Sequence, residues 1–218
     1  MDQDQLRKEE DRYRYEAMGA FAHEIRTPLT SIRMVMELAR RQSSDGKLLL
    51  DTELAEMLKA SVDDLQHLAD DLQEASRLER GKVPVLFGPC DLGAAVDAAR
   101  ELLGHAVSIE GVVPAGIEGP WDVARLVRAI AGFAESANRM GNGSGTVEFQ
   151  CAADGEACRV GFSSGAPGAS TKPIASDAGF AFFRSRQTIL AMGGNVDCIR
   201  GERYARIDAR LPWHRGGV

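Results

Sequence analysis

The sequence predicts two folded parts in series: an N-terminal antiparallel helical hairpin that pairs with a second copy into a four-helix bundle, then a two-layer α/β sandwich. Three observations carry this. Apolar residues recur three or four apart through residues 18–80, with one break at Ser43-Ser44-Asp45-Gly46. After Gly81 the texture changes to short alternating stretches punctuated by glycine-rich turns. Aromatic residues make up only 6% of the chain, which suits aliphatic helix packing.

Composition narrows the classes of function. The 218 residues carry a net charge of -6 and show no dense Lys/Arg stripe, which argues against a nucleic-acid partner and against a membrane surface. No stretch approaches the roughly 18 consecutive apolar residues of a spanning helix, so the chain reads as soluble. Cys90, Cys151, Cys158 and Cys198 form no C-x-x-C pair and have no histidine at ligand spacing. Reduced, buried thiols in a cytoplasmic protein without a metal site are therefore expected.

In chain order, residues 1–17 are highly charged good helix formers, either a solvated helical start or a coiled-coil connector to a sensor domain. Residues 18–82 hold the hairpin. Its first seam is Phe21, Ile25, Leu29, Ile32, Met36 and Ala39, with a kink expected at Pro28. The second is Leu50, Leu54, Met57/Leu58, Ser61/Val62, Leu65, Leu68, Leu72 and Ala75, capped by Gly81. One hairpin cannot bury both seams, so a homodimer is expected. Residues 83–218 form the sandwich. Helices are expected through Leu103 with Asp91 as the cap, from Trp121 to Met140 with Asp122 in the first turn, and from Gly179 to Met192, with hairpins around Asp154-Gly155 and Gly201-Glu202 and a strand from Val107 to Val113.

His23-Glu24-Ile25-Arg26-Thr27-Pro28-Leu29 places an imidazole beside a carboxylate inside the first helical repeat. The string resembles the H-box of sensor histidine kinases of bacterial two-component signalling, and the helix ending Leu78-Glu79-Arg80-Gly81-Lys82 resembles the second helix of the same dimerisation and phosphotransfer domain. The resemblance implies that His23 carries a phosphoryl group on a ring nitrogen while Glu24 accepts a proton from the other nitrogen and orients the ring. It places Thr27 where the family orients water for dephosphorylating a response regulator; read alone, Thr27 is equally an ordinary β-branched residue before a proline. Arg26 and Pro28 are candidates for partner docking, Arg26 otherwise reading as a solvated charge.

Residues 83–218 resemble the histidine-kinase ATP-binding domain in outline, with departures at each motif. Ser136 and Gly132 stand where the family has asparagines, one of which holds Mg²⁺. Ser164 stands near the adenine-reading aspartate, followed by Ala166 and Gly168. Gly179-Phe180-Ala181-Phe182 replaces Gly-x-Gly-Leu, so Ala181 takes the place of a glycine that lets backbone approach phosphate. Neither glycine run, Gly141–Gly145 or Gly165–Gly168, fits the phosphate loop G-x-x-x-x-G-K-[ST]. The resulting expectation is a degenerate nucleotide site at Ser136, Ser164, Gly168, Gly179 and Ala181, with no ATP or Mg²⁺ cofactor. The function expected is phosphoryl exchange between His23 and response-regulator aspartates without ATP. The alternatives are a sensor histidine kinase, acting as autokinase or phosphatase, and a pseudokinase scaffold.

Overall fold

The computed structural model describes residues 3–42, 48, 50–167, 172–173 and 178–213. It divides into two compact units, Met1–Glu74 and Ala75–Val218.

The first unit is built on α1 (Gln3–Arg41) and most of α2 (Thr52–Glu79). The charged lead-in is thus helical and continuous with the rest of α1. This helix runs unbroken through Pro28, whose ring fixes a φ already compatible with a helix. The Thr30 and Ser31 hydroxyls donate to the carbonyls of Arg26 (2.7 Å) and Thr27 (3.3 Å), four residues back on either side of the proline. α2 starts on Asp51, whose Oδ1 accepts from Leu54 N at 2.8 Å. Val35, Ala39 and Leu54 form a buried cluster with Met57 and Leu58 against it, which makes the pair an antiparallel hairpin. The turn residues 43–47 lie outside the described residues.

Of the predicted α2 seam, Leu54, Ser61 and Ala75 are buried and Met57, Leu58, Leu65, Leu68 and Leu72 half-buried, while Leu50 and Val62 are exposed. The α1 seam is rotated: Ala17, Ala20, Pro28, Val35 and Ala39 are buried, whereas Met18, Leu29 and Met36 are 56%, 50% and 43% exposed. Periodicity marks an apolar stripe but not which helix covers it.

The second unit is a two-layer α/β sandwich, as expected. A six-stranded sheet has the order β2 (Ser108–Glu110), β4 (Thr146–Asp154), β5 (Ala157–Ser164), β8 (Ala205–Pro212), β7 (Asn195–Arg200), β6 (Lys172–Pro173). β2 pairs parallel to β4, and every other pairing is antiparallel. Alternation sends Val147, Phe149, Val160, Phe162, Ile207 and Ala209 to the covered face and Glu148, Arg159 and Arg210 to the open one. The helices α3 (Leu92–Leu103), α4 (Val123–Met140) and α5 (Gly179–Ala191) supply the second layer. Phe133 of α4 sits 5.7 Å from Phe162 and 6.0 Å from Phe182, centroid to centroid.

Three short strands were not expected: β6 at the end of the sheet, and a separate pair. β1 (Gly88–Asp91) pairs with β3 (Glu118–Trp121), so Trp121 ends a strand and Asp122 is the N-cap of α4 rather than part of its first turn. The apolar run Val83–Phe87 is irregular and leads into β1. Trp121 is fully buried, donates to the Pro212 carbonyl at 2.9 Å and packs 5.6 Å from Trp213.

Candidate functional site

His23 sits at mid-height on α1 with its side chain in solvent. Glu24, the next residue, is half-buried, and Thr27, four residues on and therefore on the face of His23, is exposed. Arg26 is exposed as well. Pro28 is buried, and it has no N–H to donate within the helix. The arrangement is an accessible imidazole on a rigid helix, with a hydroxyl one turn away and a carboxylate adjacent in sequence. That is chemically sufficient for a ring nitrogen to take up and release an electrophilic group.

In the sandwich unit the residues singled out by motif turn inward. Ser136 is 1% exposed, and its Oγ donates to the Gly132 carbonyl one turn back at 2.7 Å. Ser164 is 2% exposed, and its Oγ donates to Asn142 Oδ1 at 3.1 Å. Gly179 opens α5 at φ 79, with no side chain capping the first turn. Ala181 belongs to the contact between α4 and α5: a Cβ on Gly132 would lie 2.4 Å from Ser185 Oγ and 3.2 Å from the Ala181 carbonyl. Gly168 lies outside the described residues. Ser136 and Ser164 thus fall near the C-terminal end of α4, where Gly141 packs on Ser164, and Gly179 and Ala181 lie on the neighbouring helix.

Sequence reasoning missed Asn142, set inside a glycine run that reads as a plain turn. Asn138 accepts from Gly145 N at 2.9 Å. Among the described residues no group of three or more His, Cys, Asp or Glu is placed to hold a metal ion.

The electrostatics set the thiols apart from chemistry. Burial, reinforced by Asp91 and Asp122, pushes Cys90 up to about 11, and burial with the nearby Cys151 pushes Cys158 up to about 12. Asp122 goes the other way. Burial raises its pKa, but the donors Leu86 N, Arg125 N and the Arg125 guanidinium outweigh it and hold the carboxyl below its ordinary value.

Residues 14–81 match the His Kinase A (phospho-acceptor) domain family. The helical hairpin is similar to that phospho-acceptor domain. Over 94 residues, 42% of the chain, it is 34% identical to the sensor histidine kinase MtrB of Mycolicibacterium paratuberculosis, of whose length the match takes in 16%. The fold of both units is that of solved histidine kinases. Acinetobacter baumannii AdeS is 18% identical with a TM-score of 0.67, over 88% of this chain and 98% of that one. ThkA, solved in complex with the response regulator TrrA, is 15% identical with a TM-score of 0.59, over 98% and 68%. Full-length ShkA in complex with AMPPNP is 22% identical with a TM-score of 0.57, over 90% and 45%.

These likenesses correct the expectation that ATP and Mg²⁺ have no place here. The sandwich unit has the fold of solved histidine kinases, one of them, ShkA, in complex with AMPPNP. The physical reason is that the expectation weighed individual side chains, whereas a phosphate group is also held by backbone N–H groups at helix starts and glycine turns. Ser136 and Ser164 donate their hydroxyl protons to groups of the protein itself. None of the described helices is long and apolar enough to cross a membrane.

Proposed function

We propose that this chain is a two-component signalling protein in which His23 carries a phosphoryl group and exchanges it with the aspartate of a response-regulator receiver domain. The observation that supports it best is the placement of His23: solvent-exposed, mid-helix, next to Glu24, inside the segment that matches a phospho-acceptor domain. In this reading Glu24 orients the imidazole, Thr27 positions water for the reverse, dephosphorylating reaction, and Arg26 and Pro28 belong to the surface that meets the receiver. The likeness to ThkA, which was solved with a response regulator bound, supports the same class of partner. Such an exchange takes place in the cytoplasm.

The working form in this proposal is a homodimer. Met18, Leu29 and Met36 on α1 and Val62 on α2 are 43–56% exposed at positions that continue the heptad pattern, and a second hairpin covers them in a four-helix bundle. Light scattering at micromolar concentration is expected to give twice the chain mass, and a monomer there refutes this part.

A second reading is favoured by the kinship of the sandwich unit with the AMPPNP complex: His23 is charged from ATP, and the chain is the core of an autokinase or of a regulator phosphatase. One experiment separates the readings. Purified protein receives labelled ATP with Mg²⁺ or, in parallel, a phosphorylated receiver domain, with His23→Ala as the control. Acid-labile label from the receiver supports the relay, label from ATP supports the autokinase, and label from neither overturns both and leaves a scaffold.

A further inference from the structure

The chain leaving α2 is held at both ends of a very short joint. On the α2 side Gly81, at φ 61, closes the helix. Its N–H donates to the Leu78 carbonyl at 3.0 Å and Lys82 N–H donates to the Arg77 carbonyl at 2.9 Å, the paired bonds of a Schellman cap. Two residues later a second set of bonds begins. Arg125 Nη1 donates to the Pro84 carbonyl at 3.2 Å, and Leu86 N–H donates to Asp122 Oδ2 at 2.9 Å. Asp122 is 3% exposed, N-caps α4 through its Oδ1 and is ion-paired with Arg125.

Only Val83 lies between the two sets. It is β-branched and precedes a proline, so its backbone is confined to the extended region, and Pro84 has its own φ fixed. Packing alone does not account for the next few residues. Leu86 is 72% exposed, and Val85 and Phe87 are only half-buried. Two hydrogen bonds, one to a buried, ionised carboxylate and one from its arginine, tie the segment to the start of α4.

We propose that Asp122 and Arg125 form a releasable clasp that sets the length and stiffness of the segment running from the end of α2 to β1 within the second unit. Closed, the joint is Val83; open, it is the whole of residues 83–87, up to the first residue of β1. Extended, one residue reaches about 3.5 Å and five reach about 17 Å, so opening turns a stiff joint into a flexible tether. Asp122 and Arg125 are then positioning residues: they touch neither His23 nor its substrate, and act through this segment. The proposal goes beyond the phosphoryl-exchange reading and holds whichever donor charges His23.

The test uses the full chain. Hydrogen exchange at the Leu86 amide reports the clasp directly, and trypsin cleavage after Lys82 reports the freedom of the residues beyond it. Arg125→Gln removes the guanidinium but leaves the Asp122 cap. Leu86→Pro removes the donated N–H without touching α4, and Leu86→Ala keeps that N–H and serves as the control. Arg125→Gln is expected to speed exchange at Leu86, and both Arg125→Gln and Leu86→Pro to speed cleavage after Lys82, by at least about tenfold, with Leu86→Ala at the wild-type rate. Cleavage of folded Arg125→Gln and Leu86→Pro at the wild-type rate overturns the proposal. So does wild-type Leu86 exchange at the rate of an unprotected amide, a measurement that needs no variant. Label transfer from a phosphorylated receiver to His23 stays at the wild-type rate in both variants, so failure of the clasp and failure of the exchange reading register in different assays.

Discussion

The two units carry their candidate chemistry in opposite ways. On the hairpin, His23, Arg26 and Thr27 face solvent from one helix, and seven consecutive residues define the site. In the sandwich, Ser136, Ser164 and Ala181 come from three elements, and the two serine hydroxyls donate within the protein. A site on one helix follows from 3.6-residue periodicity alone. A site assembled from strand ends and helix faces depends on which neighbours fill the space, and here those neighbours are the protein's own atoms. The hairpin is therefore the unit whose surface chemistry single substitutions should abolish, and the sandwich the unit whose stability they should change.

The largest expected effect is at the exposed site. His23→Ala should reduce acid-labile label to below about 1% of wild type, because the motif holds no other imidazole to act as the nucleophile. Thermal stability should change by less than about 0.5 kcal/mol, since the residue is a surface one away from any cap or core. Label that survives the substitution places the phospho-acceptor elsewhere and breaks the contrast between the units.

Next comes the core of the sandwich. Phe162 is fully buried and packs on Phe133 and on Phe149, the latter at 5.3 Å. Phe162→Ala should cost about 3–5 kcal/mol, the range for large-to-small changes in a close-packed core. Calorimetry should show the sandwich transition falling while label transfer from a receiver to His23 persists at temperatures where the hairpin stays folded. Loss of both together would mean that the units do not fold separately.

What the sequence made legible follows the same division. The caps at Asp91 and Gly81 are local, and each lies where the spacing put it, as does most of the α2 seam. Asp91 Oδ1 accepts from Ala94 N at 2.8 Å, as a residue preceding an apolar helix should. The misses are non-local. Glu-Gly-Pro-Trp at 118–121 has almost no strand propensity and is a strand because Gly88–Asp91 pairs with it. The bond from Leu86 to Asp122 spans 36 positions. The exposed Leu29 and Met36 show that periodicity locates an apolar stripe without saying whether the chain itself or a second copy covers it. Doubt about nucleotide came from the same source: motif letters describe side chains, while the fold is kept by core residues elsewhere.

A smaller effect tests the contact between α4 and α5. A methyl on Gly132 meets Ser185 Oγ at 2.4 Å, too close for any real contact, so Gly132→Ala should cost about 1–3 kcal/mol by overpacking. Pairing it with Ser185→Gly should recover part of that loss in a double-mutant cycle. Strict additivity would mean that the helices separate rather than clash.

Asp122 gives the pH dependence. Its carboxyl is held below the ordinary value of 3.8, so its contribution is fully present above about pH 4 and is lost as the pH falls through the lower, folded value. Acid unfolding of Asp122→Asn, which keeps a capping oxygen, should have a shallower slope in that window than wild type. An identical slope would mean that the Arg125 and Leu86 bonds do not favour the ionised form.

The smallest effect expected is a gain. Ser185 is fully buried, and its Oγ has no hydrogen-bond partner among the described residues, which leaves a hydroxyl desolvated without compensation. Removing the oxygen leaves the helix contact in place, takes away the atom nearest to Gly132, and replaces serine with a better helix former. Ser185→Ala should therefore raise the stability of the sandwich by about 1 kcal/mol. Thermal melts of the two proteins decide it. A loss of stability instead would show that Ser185 holds a water or a ligand atom between α4 and α5, the one place where an inward-facing residue of this unit would prove to serve a bound molecule rather than the packing.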